Sequence, residues 1–205
     1  MGDDLFVAGL DLGQAMDWTA LAIAQVKMAA RPRTYTVRHL ERPDRGTSYP
    51  DIVDWVAKLL HEKPLAGHTT LAVDATGCGR PVVDMLRRAS LIPWAVTLTG
   101  GYQEHFDGLN VTVPRQTLIT QLLVLFQSKR ITLPAARPET AILATELLHF
   151  KPRKPAKFDE AEIAWREEEN DDLMFSVALA CWLGERLRGP LPHVESGIED
   201  GREHH

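Results

Sequence analysis

The sequence predicts an α/β protein in which a mixed central sheet, three antiparallel strands first and parallel strands after them, is flanked by helices. Three observations lead there. Residues 6–12 and 19–26 are short apolar runs of strand formers and small residues joined by a polar loop, the pattern of a β-hairpin. From residue 48 onward the apolar period changes to helical, and strand-like and helix-like segments then alternate, as they do when helices cross between parallel strands. With 205 residues and 44% hydrophobic content, the chain can bury about 70% of the surface it exposes when unfolded, enough for one core without a disulfide or structural metal.

Taken in order, the first strand ends in Asp11. Residues 34–40 alternate, with Tyr35, Val37 and His39 against Thr36, Arg38 and Leu40, and predict a third strand with one wet face. Ile52, Val53, Val56, Leu59 and Leu60 recur at helical spacing behind Ser48, a cap, and Pro50, a first-turn proline. Residues 70–74 (TLAVD) form a short buried strand, followed by a turn at Gly77 and Gly79 and a second helix marked by Val82, Val83, Met85 and Leu86. Residues 94–98 are the next strand, and 99–113 read as a glycine-containing loop. Leu118, Ile119, Leu122, Leu123, Leu125 and Phe126 place a long helix over 115–127; Ile142, Leu143, Leu147 and Leu148 place another over about 138–149, with a short edge segment at 130–133 between them. Residues 151–170 are highly charged and predict a projecting hairpin or loop. An apolar helix from Asp172 to about residue 187 closes a domain spanning 1–188, and the Pro-, Gly- and Glu-rich remainder, 189–205, is expected to be a disordered tail.

No run reaches the roughly 18 apolar residues of a membrane span, and the acidic start is unlike a signal peptide. Cys78 and Cys181 form no zinc or redox spacing and are too few for a secreted disulfide framework, so a reducing cytoplasm is the expected compartment. The balance of 28 acidic to 23 basic side chains, a net charge of -5, argues at first against a partner as negative as DNA. The distribution of charge changes that conclusion. Residues 159–172 hold eight acids and one base, residues 193–205 hold four acids and one base, and the rest of the chain carries 16 acids and 21 bases. A basic surface around an acidic centre is compatible with those numbers.

The acids sit at chain positions that favour a shared site. Asp11 ends the first strand, Asp74 ends the fourth, and Asp171 with Asp172 opens the last helix. If strands one and four are neighbours, their carboxylates lie about 5 Å apart across the ladder. Two carboxylates that close repel unless a cation lies between them, which points to Mg2+ or Mn2+, hard ions that take oxygen ligands. Asp17, in the hairpin loop, is within reach of the same ion. The chemistry such a cluster serves is in-line phosphodiester cleavage with two ions. Each acid also has a plainer role: a helix cap for Asp171 or Asp172, a turn for Asp74. Asp11 fits such a role least, because it interrupts an apolar run where an unpartnered charge costs several kcal/mol.

GLDLG-x-x-x-DWTALAIAQV from Gly9, LAVDATGCGRPVVDML from Leu71, VPR from Val113 leading into a long helix, ELLHF from Glu146 and NDDLMFSVALACW from Asn170 together resemble the nuclease domain of phage terminase large subunits. The resemblance covers residues 5 to 188 in order. It implies an RNase H-like fold and a two-metal endonuclease that cuts concatemeric viral DNA in the cytoplasm of an infected or lysogenic bacterial host. It implies further that Asp11, Asp74 and Asp171 or Asp172 bind the metal, with Asp17 as an additional ligand or water-holding group. The partners it implies are double-stranded DNA and, in a full terminase, an ATPase domain, the small subunit and the portal. No G-x-x-x-x-G-K-[ST] phosphate loop occurs, so no nucleotide cofactor is expected in this chain, which reads as an excised domain or a short prophage product. Asn170 stands where the family often has histidine.

Lys151, Arg153, Lys154 and Lys157 form the densest basic cluster and are candidate phosphate contacts, although a solvated loop has the same composition. Arg80 and Arg115 stand at expected helix starts, where the helix dipole does not favour a cation; this suggests an external anion for each, and both are candidate DNA contacts. His149 is expected to pack or cap, since no second histidine lies at a metal-site spacing. Three other functions are compatible with parts of the pattern: a Holliday-junction resolvase of the same fold, a noncatalytic docking module, and a sugar-kinase or actin-like ATPase. The last needs two such halves, and one is present.

Overall fold

The computed structural model describes residues 5–13, 17–77, 79–135, 137–150 and 171–187. The elements run β1 (Leu5–Asp11), β2 (Ala20–Lys27), β3 (Thr34–Glu41), α1 (Tyr49–Leu60), β4 (Thr69–Asp74), α2 (Gly79–Arg88), β5 (Trp94–Thr99), β6 (His105–Asp107), β7 (Asn110–Pro114), α3 (Arg115–Gln127), β8 (Ile131–Thr132), α4 (Pro138–His149) and α5 (Asp172–Arg186). The strands form one sheet in the order β6-β7-β5-β4-β1-β2-β3-β8. Strands β1, β2 and β3 pair antiparallel, while β4, β5 and β7 continue outward from β1 in parallel. The mixed sheet with flanking helices is the architecture expected from the sequence.

β1 lies at the centre and is buried along its length except at Asp11. Its alternation feeds two cores. Leu5 and Val7 face one, with α3, α4 and α5; Phe6, Ala8 and Leu10 face the other, with α1 and α2. A strand covered on both faces reads as a continuous apolar run, which is why residues 6–12 stand out in the sequence. Ser48 caps α1 by accepting the Asp51 N–H at 3.4 Å, and the helix turns Ile52, Val53, Val56 and Leu60 onto the sheet. Burying each such side chain contributes about 1.5–3 kcal/mol.

Two expectations are corrected. Residues 99–113 are not simply a loop: His105–Asp107 and Asn110–Pro114 form a hairpin whose second strand pairs in parallel with β5 and extends the sheet. The strict alternation expected of β3 also breaks. The register against β2 shifts between Ile23 and Ala24, so that Ala24 faces Val37 and Ile23 faces His39. The extra residue, Arg38, reverses the pleat beyond it, and Leu40 rather than His39 joins Tyr35 and Val37 in the core. The stretch 151–170 and the tail from 188 lie outside the described residues.

α5 is buried on every side from Leu173 to Gly184. It runs over β1, β2 and β4 and is covered in turn by α3 and α4. An apolar helix of this kind belongs inside a protein, not on its surface. Gly9 lets it approach the sheet: a Cβ there would lie 2.0 Å from Ser176 O and 2.7 Å from Ala180 N, both helix backbone. Near the far end of α5 the Tyr35 ring fits against Gly184, where a Cβ would lie 2.5 Å from Cε1. Tyr35 then donates its hydroxyl to Glu185 Oε1 at 2.7 Å, and Arg130 pairs with the same carboxylate at 2.6 Å.

Because backbone cannot give way as a side chain can, Gly9→Ala is expected to cost about 3 kcal/mol or more, at the upper end of overpacking effects. Urea denaturation followed by circular dichroism checks this; a variant with the parent's midpoint would contradict the seating of α5 on β1.

Candidate functional site

Gly9 of β1 lies opposite Ala72 of β4 in the parallel register, and two residues further on stand Asp11 and Asp74. Neighbouring strands are about 4.8 Å apart, and residues two apart share a face, so both carboxylates emerge on the side covered by α5. The first turn of α5 brings Asp171 and Asp172 to the same place. Strand ends and a helix start thus converge on one edge of the sheet.

The electrostatics follow. Burial pushes the Asp11 carboxyl well above the usual carboxylate range, the negative charges of Asp74, Asp172 and Asp171 push it further, and Arg115 only partly opposes them. Burial also raises Asp74, but hydrogen bonds from Thr76 and the charge of Arg115 hold it back. The Thr76 N–H donates to Asp74 Oδ1 at 2.7 Å, so the turn-forming role weighed for Asp74 is real and coexists with its place beside Asp11. Asp172 is pushed up to about 6 by burial and by the charges of Asp171 and Asp17, against the pull of Arg42.

The paired acids of α5 are differently held. Asp171 is the N-cap residue but makes no side-chain cap bond; its Oδ2 instead accepts from Arg115 Nη2 at 2.6 Å. The Arg115 guanidinium stacks on the Phe175 ring at 4.0 Å. The anion observed beside Arg115 is therefore a carboxylate of the chain itself, not the external anion expected from the sequence. Asp172 Oδ2 is buried without a hydrogen-bond partner and lies 3.4 Å from Arg42 Nη2.

Two residues that sequence reasoning did not single out as site members belong to this centre. Arg42, just beyond β3, pairs with Glu146 of α4, with side-chain exposures of 9% and 3%. Glu146 Oε2 also accepts the Met174 N–H in the first turn of α5 at 2.8 Å. Burial pushes Glu146 up to about 7, with Arg42 and the Met174 N–H opposing it and Asp172 and Asp171 adding to it. A signal for Glu146 existed: it lies on the apolar stripe of α4, one helical step from Leu143, and an acid there has to be paired. Arg42 had none, since its partners are remote in sequence.

Asp17 is exposed in the loop after β1 and lines a cleft of about 180 Å³ with Gly13, Thr19, Asp44, Ser48 and Tyr49, close enough for its charge to act on Asp172. Arg80 is exposed in the first turn of α2. Lys151, Arg153, Lys154 and Lys157 lie outside the described residues. His149 bonds the Thr145 carbonyl of its own helix through Nδ1 at 2.9 Å, the capping role expected of it.

Among the described residues, no three acid, histidine or cysteine side chains are drawn together tightly enough to form a closed cation cage as they stand. The donor set nevertheless fits a hard divalent ion: it is all carboxylate oxygen, it includes the unbonded Asp172 Oδ2, and its central member, Asp11, carries uncompensated repulsion. Mg2+ and Mn2+ are the ions of that type.

The raised carboxyls have a consequence for stability. Asp172 and Glu146 have ordinary values of 3.8 and 4.5 and folded values of about 6 and about 7. Their protonated forms favour the fold, so this contribution is complete below the ordinary values and is lost as pH rises through 6 to 7. In chelator, the melting temperature is expected to fall between about pH 5 and pH 8, and Asp172→Asn should reduce that fall by on the order of 1 kcal/mol. Mn2+ should restore more stability at the higher pH. Scanning fluorimetry across pH tests both, and a fall of equal size in Asp172→Asn would contradict the assignment.

No protein-family model and no curated protein sequence matches the chain. Solved structures do. The magnesium-bound large terminase nuclease of the thermophilic phage G20c superposes with a TM-score of 0.61 at 20% identity, over 89% of this chain and 82% of that one. The Mn-soaked human cytomegalovirus terminase nuclease domain gives 0.55 at 13% identity, over 86% and 82%. The Mn-bound large terminase nuclease domain of bacteriophage SPP1 gives 0.50 at 14% identity, over 89% and 88%. The chain shares the fold of phage and viral terminase nuclease domains, a mixed sheet with flanking helices.

Proposed function

We propose that this chain is a divalent-metal-dependent DNA endonuclease domain that hydrolyses phosphodiester bonds, and that it acts in viral genome packaging. The observation that carries the reading is the convergence of Asp11, Asp74 and Asp172 at one sheet edge, with Asp11 under repulsion that Arg115 offsets only in part. Asp11, Asp74 and Asp172 are the residues that would hold two Mg2+ or Mn2+ ions. When bound, such ions activate a water and stabilise the leaving oxygen of an in-line displacement.

The chain's own groups divide the remaining work. Asp11 ends β1, between β4 and β2 in the body of the sheet. Asp74 is oriented by its bond from Thr76, whose own Oγ1 accepts the Leu98 N–H at 2.8 Å and so ties the turn to β5. Asp171, held by Arg115, adds negative charge at the rim, and Asp17 lies on the side from which solvent enters. Arg80 with Lys151, Arg153, Lys154 and Lys157 binds phosphates of double-stranded DNA. In a complete packaging protein the domain works beside an ATPase domain, a small terminase subunit and a portal, in the cytoplasm of a bacterial host.

With Mn2+ or Mg2+ the protein is expected to nick and then linearise supercoiled plasmid, and EDTA should stop it. Asp11→Asn and Asp74→Asn should each lower the rate by about 100-fold or more, since even groups that only support metal ligands are worth 10- to 100-fold. Parent-like cutting by either variant would sink the mechanism, and DNA binding without cutting by the parent would favour a docking module. Replacing Lys151, Arg153, Lys154 and Lys157 by alanine should raise KM for DNA and flatten its salt dependence with kcat little changed; an unchanged salt slope would remove these residues from the DNA contact.

A further inference from the structure

The first backbone N–H groups of a helix have no partners inside it, and a local aspartate is among their commonest acceptors. In α5 the local acids do little of this: Asp171 makes no cap bond and faces Arg115, and Asp172, whose carboxyl takes a bond only from its own N–H, faces Arg42 and the acidic centre. The acceptor comes from another helix. Glu146 of α4 takes the Met174 N–H through Oε2, and through Oε1 it holds Arg42, whose Nη2 also lies 3.4 Å from Asp172 Oδ2. The Trp18 ring, 5.8 Å from the Arg42 guanidinium carbon, closes the other side of this arginine.

We propose that Glu146 and Arg42 are positioning residues for the acidic centre. Glu146 takes a first-turn N–H of α5 that Asp172 therefore need not reach, and the Arg42 it anchors sets the direction of the Asp172 carboxylate. A role in stability alone is a poor account of the pair, because two buried charges are commonly replaceable by packed apolar side chains with little loss. What an apolar pair cannot do is accept the Met174 N–H while presenting a directed cation to Asp172. The inference rests on the reading of the centre as a metal-dependent nuclease, and extends it to residues on α4 and beyond β3.

The test compares the full chain with Glu146→Gln, Arg42→Met and Arg42→Lys, using Mn2+ affinity from calorimetry, plasmid nicking kinetics and circular dichroism. Glu146→Gln keeps an acceptor for Met174 and is the variant that best preserves the fold. It and Arg42→Met are expected to weaken Mn2+ binding by about 10- to 100-fold and to lower kcat with KM for DNA unchanged, while Arg42→Lys recovers part of the affinity. Folded variants that bind Mn2+ as tightly as the parent, or more tightly, overturn the proposal. A parent that binds Mn2+ but never nicks DNA overturns the nuclease reading instead, and the affinity comparison still decides the positioning role. A parent that binds no Mn2+ overturns both.

Discussion

The arrangement depends on one contact, the backbone of α5 lying directly on the backbone of β1 at Gly9. The two helix atoms nearest that position belong to Ser176 and Ala180, one turn apart, so the contact sets the direction of the helix as well as its distance. Moving from Ser176 to Asp172 is about 6 Å along the helix, and moving from Gly9 to Asp11 is about 6.6 Å along the strand. Both steps leave the same contact and arrive at the same edge. A side chain at position 9 would lift the helix from the sheet and carry its acids with it. The carboxylate centre is in this sense a product of backbone packing, and it needs no loop to assemble it.

The centre works against the fold that builds it. Its acids are pressed together in surroundings that favour their neutral forms, and two arginines, Arg42 and Arg115, counter them only in part. The Arg42 guanidinium is itself half used: among the described residues its Nε is buried without a hydrogen-bond partner. Functional sites are where proteins commonly accept such local instability. The surrounding structure supplies the compensation, through two cores on opposite faces of the sheet and a fully buried helix joined to it at both ends. At its C-terminal end Tyr35, Arg130 and Glu185 tie α5 to β3 and the start of β8, far from the acids.

Much of this was legible in the sequence, for identifiable reasons. α3 and α4 have the bounds their apolar periods predict, because a helical period is written in local residues. Asp11 and Asp74 were readable because each ends an apolar run, and a charge in that position needs a partner. The hairpin β6–β7 was not, since its first strand is exposed throughout and carries no alternation to read. The bulge at Arg38 was hidden for a different reason: a period-two pattern assumes an unbroken pleat, and nothing in the residues 34–40 marks the break. The choice between Asp171 and Asp172 could not be made from adjacent identical residues. It turns on which of them faces Arg115 and which faces inward, and those partners come from distant elements.

The ends of the sheet have a further consequence. On one side it finishes in the three residues of β6 and on the other in the two residues of β8, although the strands just inside them are longer. A terminal strand that short offers few backbone groups of its own to a strand from another molecule, although β8 pairs only with Tyr35 and Thr36 and no strand of the described residues covers the rest of the outer edge of β3. Strand-to-strand zipping with another copy therefore has little to hold at β6 and β8 themselves, where contacts between neighbours are left to side chains.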